Sequence, residues 1–134
     1  MSACTVPRVE LPPANKLKGD VVARGDADDL FAAVSAAAGR HEMAIVRRVE
    51  PRQQPSTEAT VFELISIRDE DVVLRLEPQA EQSHYLVKAR FVRAASSEAG
   101  QRLQRQRARA LELDVKLRLE RLHGVDSAPK PEGW

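Results

Sequence analysis

Residues 110–122, ALELDVKLRLERL, constrain the fold more than any other stretch because their pattern fits two different structures. Apolar and charged residues alternate over most of the segment, which is the period of a half-buried strand. The same residue types are strong helix formers, and no turn signal precedes the segment. The pairs Glu112–Lys116 and Asp114–Arg118 also have the favourable i, i+4 spacing of a helix. We therefore predict a helix, with a strand as the alternative.

A helix over residues 96–123 would carry two apolar stripes. Ser96 or Ser97 can cap its start, and Gly124 can end it. At about 100° per residue, the stripes lie about 160° apart. They consist of Ala108, Leu111, Val115, Leu119 and Leu122, and of Leu103, Ala110, Leu113 and Leu117. The first stripe can cover a sheet, so the second needs the N-terminal arm, another helix of the chain or a second copy of the protein.

The rest of the chain has the pattern of an α+β protein. Its clearest element is a helix over 27–38, for which Asp26 is the expected N-cap and Gly39 the expected stop. Strands are predicted over 21–23, 42–50, 59–67, 72–77 and 83–93. We predict an antiparallel sheet of four to five strands with one short helix and one long C-terminal helix, in the order β-α-β-β-β-β-α.

The length of 134 residues suits one domain, which we place at residues 16–124. Residues 1–15 contain three prolines and no periodicity and are predicted to be an extended arm. Residues 125–134 are predicted to be a flexible tail. The element order resembles that of the ribosome-hibernation factor domain and of small helix-grip domains of bacterial envelope lipoproteins. This likeness is one of topology, which does not fix function.

Composition excludes several classes of protein. Apolar residues make up 43% and charged residues 31%, with a net charge of +1, which is typical of a globular domain. Aromatic residues make up only 4%, too few for the stacking platforms of single-stranded nucleic-acid binding. Cys4 is the only cysteine, so an intramolecular disulfide and a cysteine-based zinc site are excluded. No stretch has the length and hydrophobicity of a membrane span.

The sequence carries no recognisable catalytic pattern. It has no glycine-rich phosphate loop and no nucleophile elbow. His41, His84 and His123 fall on three different predicted elements, so a shared metal site is not expected. No pair of inward-facing carboxylates indicates acid–base catalysis. We therefore expect a protein that is not an enzyme, with no catalytic residues, no cofactor and no metal.

A basic run in the long helix is the strongest charged feature. No acid occurs between Glu98 and Glu112. The run contains Arg102, Arg105, Arg107 and Arg109, of which the first, second and fourth share a helix face. Such a face could contact the phosphates of RNA or an acidic membrane surface, in a salt-dependent way. The alternative interpretation is a solvated face beside acidic neighbours.

The leading prediction is a small non-catalytic binding or adapter protein of the cytoplasm. We expect it to self-associate, or to bind another protein, through Leu103, Leu113 and Leu117 of the long helix. An anion-contacting module that uses the Arg102–Arg109 run is the alternative. A second alternative is a bacterial envelope lipoprotein anchored at Cys4, because Ser2 to Cys4 resembles the end of a lipoprotein signal, although the upstream apolar segment of such a signal is missing.

Overall fold

The computed structural model describes residues 11–13, 17–52 and 57–127. Two helices follow the predicted order: α1 (Leu30–Arg40), preceded by a 3-10 turn (Ala27–Asp29), and α2 (Glu98–Ser127). The five strands are β1 (Val21–Arg24), β2 (Met43–Val49), β3 (Thr60–Ser66), β4 (Asp71–Pro78) and β5 (His84–Phe91). The chain is an α+β protein with the element order β-α-β-β-β-β-α, as predicted from the sequence.

The five strands form one antiparallel sheet in the order β1-β5-β4-β3-β2. Strands β2 to β5 are a meander, as their short connections predict. β1 pairs with the last strand of that meander, so the chain must cross the sheet between β1 and β2. α1 makes this crossing and packs beside β2 and α2.

The core lies between one face of the sheet and the two helices. Strict alternation places Phe62 of β3 opposite Leu74 of β4, and both side chains are fully buried. α1 contributes Leu30, Ala33, Val34, Ala37 and Ala38 to this core. Both helices therefore pack on the same face of the sheet: α1 contributes mostly alanine side chains to the core, and α2 contributes leucine and valine side chains.

Residues 110–122 are helical, which confirms the prediction for the segment. Leu111, Val115 and Leu119 are fully buried against the sheet. At the start of α2, the backbone N–H of Gly100 donates to the Ser97 hydroxyl at 3.0 Å, a capping contact that the sequence predicts. The end of the helix was predicted too early, because α2 continues past Gly124 to Ser127.

Of two details predicted for the first helix, one is confirmed in part and the other is wrong. Asp26 occupies the N-cap position of the 3-10 turn, but its side chain makes no capping hydrogen bond and its carboxylate faces His123 of α2 at 3.3 Å. Gly39 does not end α1, which continues to Arg40. The chain leaves the helix at Glu42, whose φ of 59° supplies the left-handed turn that was expected of the glycine.

β1 and α2 approach closely at one glycine. A Cβ atom added to Gly25 would overlap the Leu119 side chain of α2. The N–H of Gly25 donates to the Ser83 carbonyl at 2.8 Å, which fixes the turn against the start of β5. Gly25 thus lets α2 lie directly on the end of β1.

Candidate functional site

One side of α2 covers the free edge of β1. Lys116 Nζ donates to the Val22 carbonyl at 2.7 Å, and the Glu120 carboxylate accepts from the Arg24 N–H at 3.1 Å. Lys116 and Glu120 also pair with each other at 3.0 Å. Because an unpaired strand edge exposes backbone donors and acceptors, these side chains take the place of a neighbouring strand.

The same side of α2 continues along β5. Glu112 accepts a hydrogen bond from the Ala89 N–H at 2.7 Å and pairs with Arg109 at 3.5 Å. Arg109 donates to the carbonyls of Leu17 and Gly19, both at 2.6 Å. We call these four α2 residues the edge-capping row: Arg109, Glu112, Lys116 and Glu120.

Burial and hydrogen bonding act differently on the two acids of the edge-capping row. Burial raises the pKa of Glu112, although the Ala89 N–H and Arg109 oppose this shift. Burial also acts to raise the pKa of Glu120, but Lys116 and the Arg24 N–H outweigh it, so that pKa is lowered. Glu112 therefore carries its negative charge less readily than its neighbour two turns along the helix.

The opposite side of α2 packs against the end of α1. Asp114 lies between His41, whose Nε2 is 3.2 Å away, and Arg118, whose Nε donates at 3.0 Å. The side chains of His41 and Asp114 are both buried. Burial lowers the pKa of His41 despite the neighbouring carboxylate. This cluster joins the two helices.

The arginine run predicted as an anion site is divided among different surroundings. Arg107 makes two hydrogen bonds to Glu70, at 2.9 and 3.0 Å, and lies over the Phe91 ring at 4.7 Å. Arg109 belongs to the edge-capping row. Arg102 and Arg105 are exposed. Two arginines of the run therefore make contacts within the protein, and two are exposed cations. The sequence alone cannot separate the two kinds, because the hydrogen-bond partners of Arg107 and Arg109 are distant in sequence.

The apolar stripe predicted as an interface lies on the outer side of α2. We call its three leucines the outer stripe: Leu103, Leu113 and Leu117, which are 41%, 43% and 45% exposed. Ala110 of the same predicted stripe is buried. Near it, Gln106 Nε2 donates to the Pro12 carbonyl at 3.2 Å, so part of the arm reaches this face as the sequence analysis allowed. The leucines remain partly open.

A cleft opens where β1 ends and β5 continues. β1 pairs only with His84–Val87, so the last residues of β5 extend beyond it. Gly19, two residues before β1, has a φ of 89°, in the left-handed region that favours glycine. The resulting cleft has a volume of about 510 Å³. It is lined by Gly19, Asp20, Val21, Val73, Arg75, Glu77, Val87, Lys88, Ala89, Arg90, Arg109 and Glu112.

Sequence reasoning missed the basic character of this cleft. Register places Arg75 of β4 directly opposite Lys88 of β5, on the sheet face away from the helices. Arg90 is two residues further along the same face. The only sequence signal was the outward alternation of Lys88 and Arg90, and their proximity to Arg75 required the strand register.

The three histidines each lie near a carboxylate: His41 near Asp114, His123 near Asp26 and His84 near Glu81. In residues 11–13, 17–52 and 57–127, no group of three or more metal-ligating side chains is assembled. Cys4, the predicted lipid anchor, lies outside the described residues.

No family model matches the chain, and comparisons with curated proteins and with solved structures return no match. Among the helices that the structure describes, none has the length and hydrophobicity needed to cross a membrane.

Proposed function

We propose that the chain is a non-catalytic binding protein that self-associates through the outer stripe of α2. The observation that carries the proposal is the exposure of Leu103, Leu113 and Leu117 on one side of a helix that packs on the sheet and contacts β1 and α1 along its flanks. Another protein with an apolar helix face is the alternative partner.

The charges around the stripe support an apolar contact. Every charged residue from Glu112 to Glu120 already has a partner within the chain. Leu113 and Leu117, one turn apart, therefore project between ionic groups that are engaged elsewhere. An apolar stripe is complementary to itself, and the same patch from two copies can form a two-fold interface.

The experiment is the molar mass of the purified chain, measured by light scattering after size exclusion over a range of concentrations. We expect a dimer for the wild type and a monomer for the double variant L113Q/L117Q, with unchanged circular dichroism. The matched control is V46Q/I67Q. It replaces two exposed apolar side chains that lie outside α2 and are 66% and 72% exposed. The control should remain dimeric.

Two outcomes would contradict the proposal. A wild type that stays monomeric at all concentrations excludes self-association. A dimer that survives in L113Q/L117Q places the interface on another surface.

The proposed location is the cytoplasm, with an envelope lipoprotein anchored at Cys4 as the alternative. Metabolic labelling with a fatty-acid analogue separates the two, because incorporation that is lost in Cys4→Ser would support the envelope location.

A further inference from the structure

The free end of β5 brings together three cations, Arg75, Lys88 and Arg90, of which only Arg75 has an ion-pair partner among the described residues. Arg75 and Lys88 lie directly opposite each other on adjacent strands, an arrangement that destabilises a sheet when both side chains are charged. Arg75 has a partner in Glu77 at 3.2 Å. The side chains of Lys88 and Arg90 are exposed, and neither side chain has a hydrogen bond or ion pair among the described residues, although the charge of Lys88 acts on Glu112.

The acids of the cleft are arranged so that they leave these cations open. Glu112 is directed at the Ala89 N–H and at Arg109, and its side chain is mostly buried. Glu77 is held by Arg75. Asp20, in the segment before β1, also lines the cleft and acts electrostatically on Glu112. The groups left to receive a ligand are therefore predominantly positive.

The space beside the cations suits a small molecule. A volume of about 510 Å³ lies within the range of small-molecule sites, roughly 300–1,000 Å³. Val73, Val87 and Ala89 give part of the lining an apolar character. An adjoining hollow of about 240 Å³ is lined by both Arg90 and Arg105, so the basic surface continues beyond the cleft.

We propose that this cleft binds a phosphorylated small molecule, with the phosphate held by Lys88, Arg90 and Arg75 and the body of the ligand against the apolar lining. An arginine guanidinium matches the oxygens of a phosphate with two parallel hydrogen bonds, and a lysine adds a point charge. The bound dianion would also offset the repulsion between Arg75 and Lys88. The binding site is separate from the outer stripe and does not depend on self-association.

The test is a titration of the ¹⁵N-labelled full chain, followed by amide chemical shifts, with adenosine monophosphate, pyrophosphate, succinate and a short RNA as separate probes. We expect saturable shifts with the two phosphates at residues 19–21 and 88–90. The double variant K88Q/R90Q should bind at least tenfold more weakly. The matched control R47Q removes an exposed arginine of β2 and should bind like the wild type.

Other outcomes would overturn the proposal. The site is absent if no saturable shift occurs at these residues, or if K88Q/R90Q binds as tightly as the wild type. Saturation with succinate alone would show that the cleft binds a carboxylate and not a phosphate. Saturation with a short RNA but with neither small phosphate would make this a nucleic-acid surface. L113Q/L117Q should retain phosphate binding, so failure of the self-association proposal can be distinguished from failure of this one.

Discussion

At the scale of single residues, successive charged side chains of α2 contact different parts of the fold. Glu112 accepts a backbone hydrogen bond from β5, whereas Asp114, two residues later, faces His41 of α1. Lys116 then returns to the β1 edge. Successive charged residues two apart point to opposite flanks because each step rotates about 200° around the helix. The strand-like period of the sequence thus results from a helix that is packed on both flanks.

The pair Glu70–Arg107 is the residue contact with the clearest effect on stability. Hydrogen bonds from Arg107 lower the pKa of Glu70 below its ordinary value of 4.5, and the Ser66 hydroxyl acts in the same direction. We predict that Glu70→Gln lowers the free energy of unfolding at pH 7 by about 1–2 kcal/mol. The measurement is urea unfolding as a function of pH.

The sign of the pH dependence follows from the lowered pKa. The unfolded chain binds a proton at Glu70 more readily than the folded chain, so the stability from this pair is full above about pH 4.5 and is lost as the pH falls through the folded pKa. The deficit of E70Q should therefore shrink in acid. The control E63Q removes an exposed acid that is 3.6 Å from Arg47 and should cost under about 0.5 kcal/mol. A deficit of E70Q that is constant with pH would contradict the assignment.

At the scale of elements, the contact between β1 and α2 depends on the absence of a side chain at Gly25. We predict that Gly25→Ala lowers the free energy of unfolding by about 1–3 kcal/mol, because its Cβ atom would overlap Leu119 and force α2 away from the turn. Urea unfolding monitored by circular dichroism measures the effect.

Gly39 provides the matched control because a Cβ atom there meets nothing within 4 Å. It lies in α1, so Gly39→Ala should raise stability by about 0.5–1 kcal/mol. Equal effects of the two substitutions would show that the overlap with Leu119 does not determine the cost at Gly25.

The same scale shows how far the sequence predicts the structure. The hydrophobic period identified the five strands and two helices of the described residues, because burial on one face leaves a repeat that can be read locally. Helix ends were less accurate: the first helix ends at Arg40, and the left-handed conformation that favours glycine is adopted by Glu42, so the glycine at 39 was misleading. The outer stripe was predictable from helical spacing alone. The cleft was not, since Arg75 and Lys88 meet only through the strand register.

At the scale of the whole molecule, the two proposed surfaces should respond differently to salt. The outer stripe is apolar, whereas the cleft presents cations to solvent. Raising the salt concentration from about 0.05 to 0.5 M shortens the screening length from roughly 14 to 4 Å. We predict that the dimer dissociation constant, measured by sedimentation equilibrium, changes less than threefold. Phosphate binding to the cleft should weaken at least tenfold over the same range. Strong loss of the dimer in salt would indicate an ionic interface instead.

The sealed edge of β1 also limits how copies of this chain can polymerise. A fibre that grows by adding strands needs two open edges on every subunit, one to receive the previous copy and one to offer to the next. Here α2 side chains already bind the backbone of β1, which leaves β2 at the other end of the sheet as the strand available for such pairing. Edge-to-edge pairing of β2 with β2 would stop at two copies. Mutations that release Lys116 and Glu120 from β1 would therefore be expected to turn a terminating contact into a propagating one.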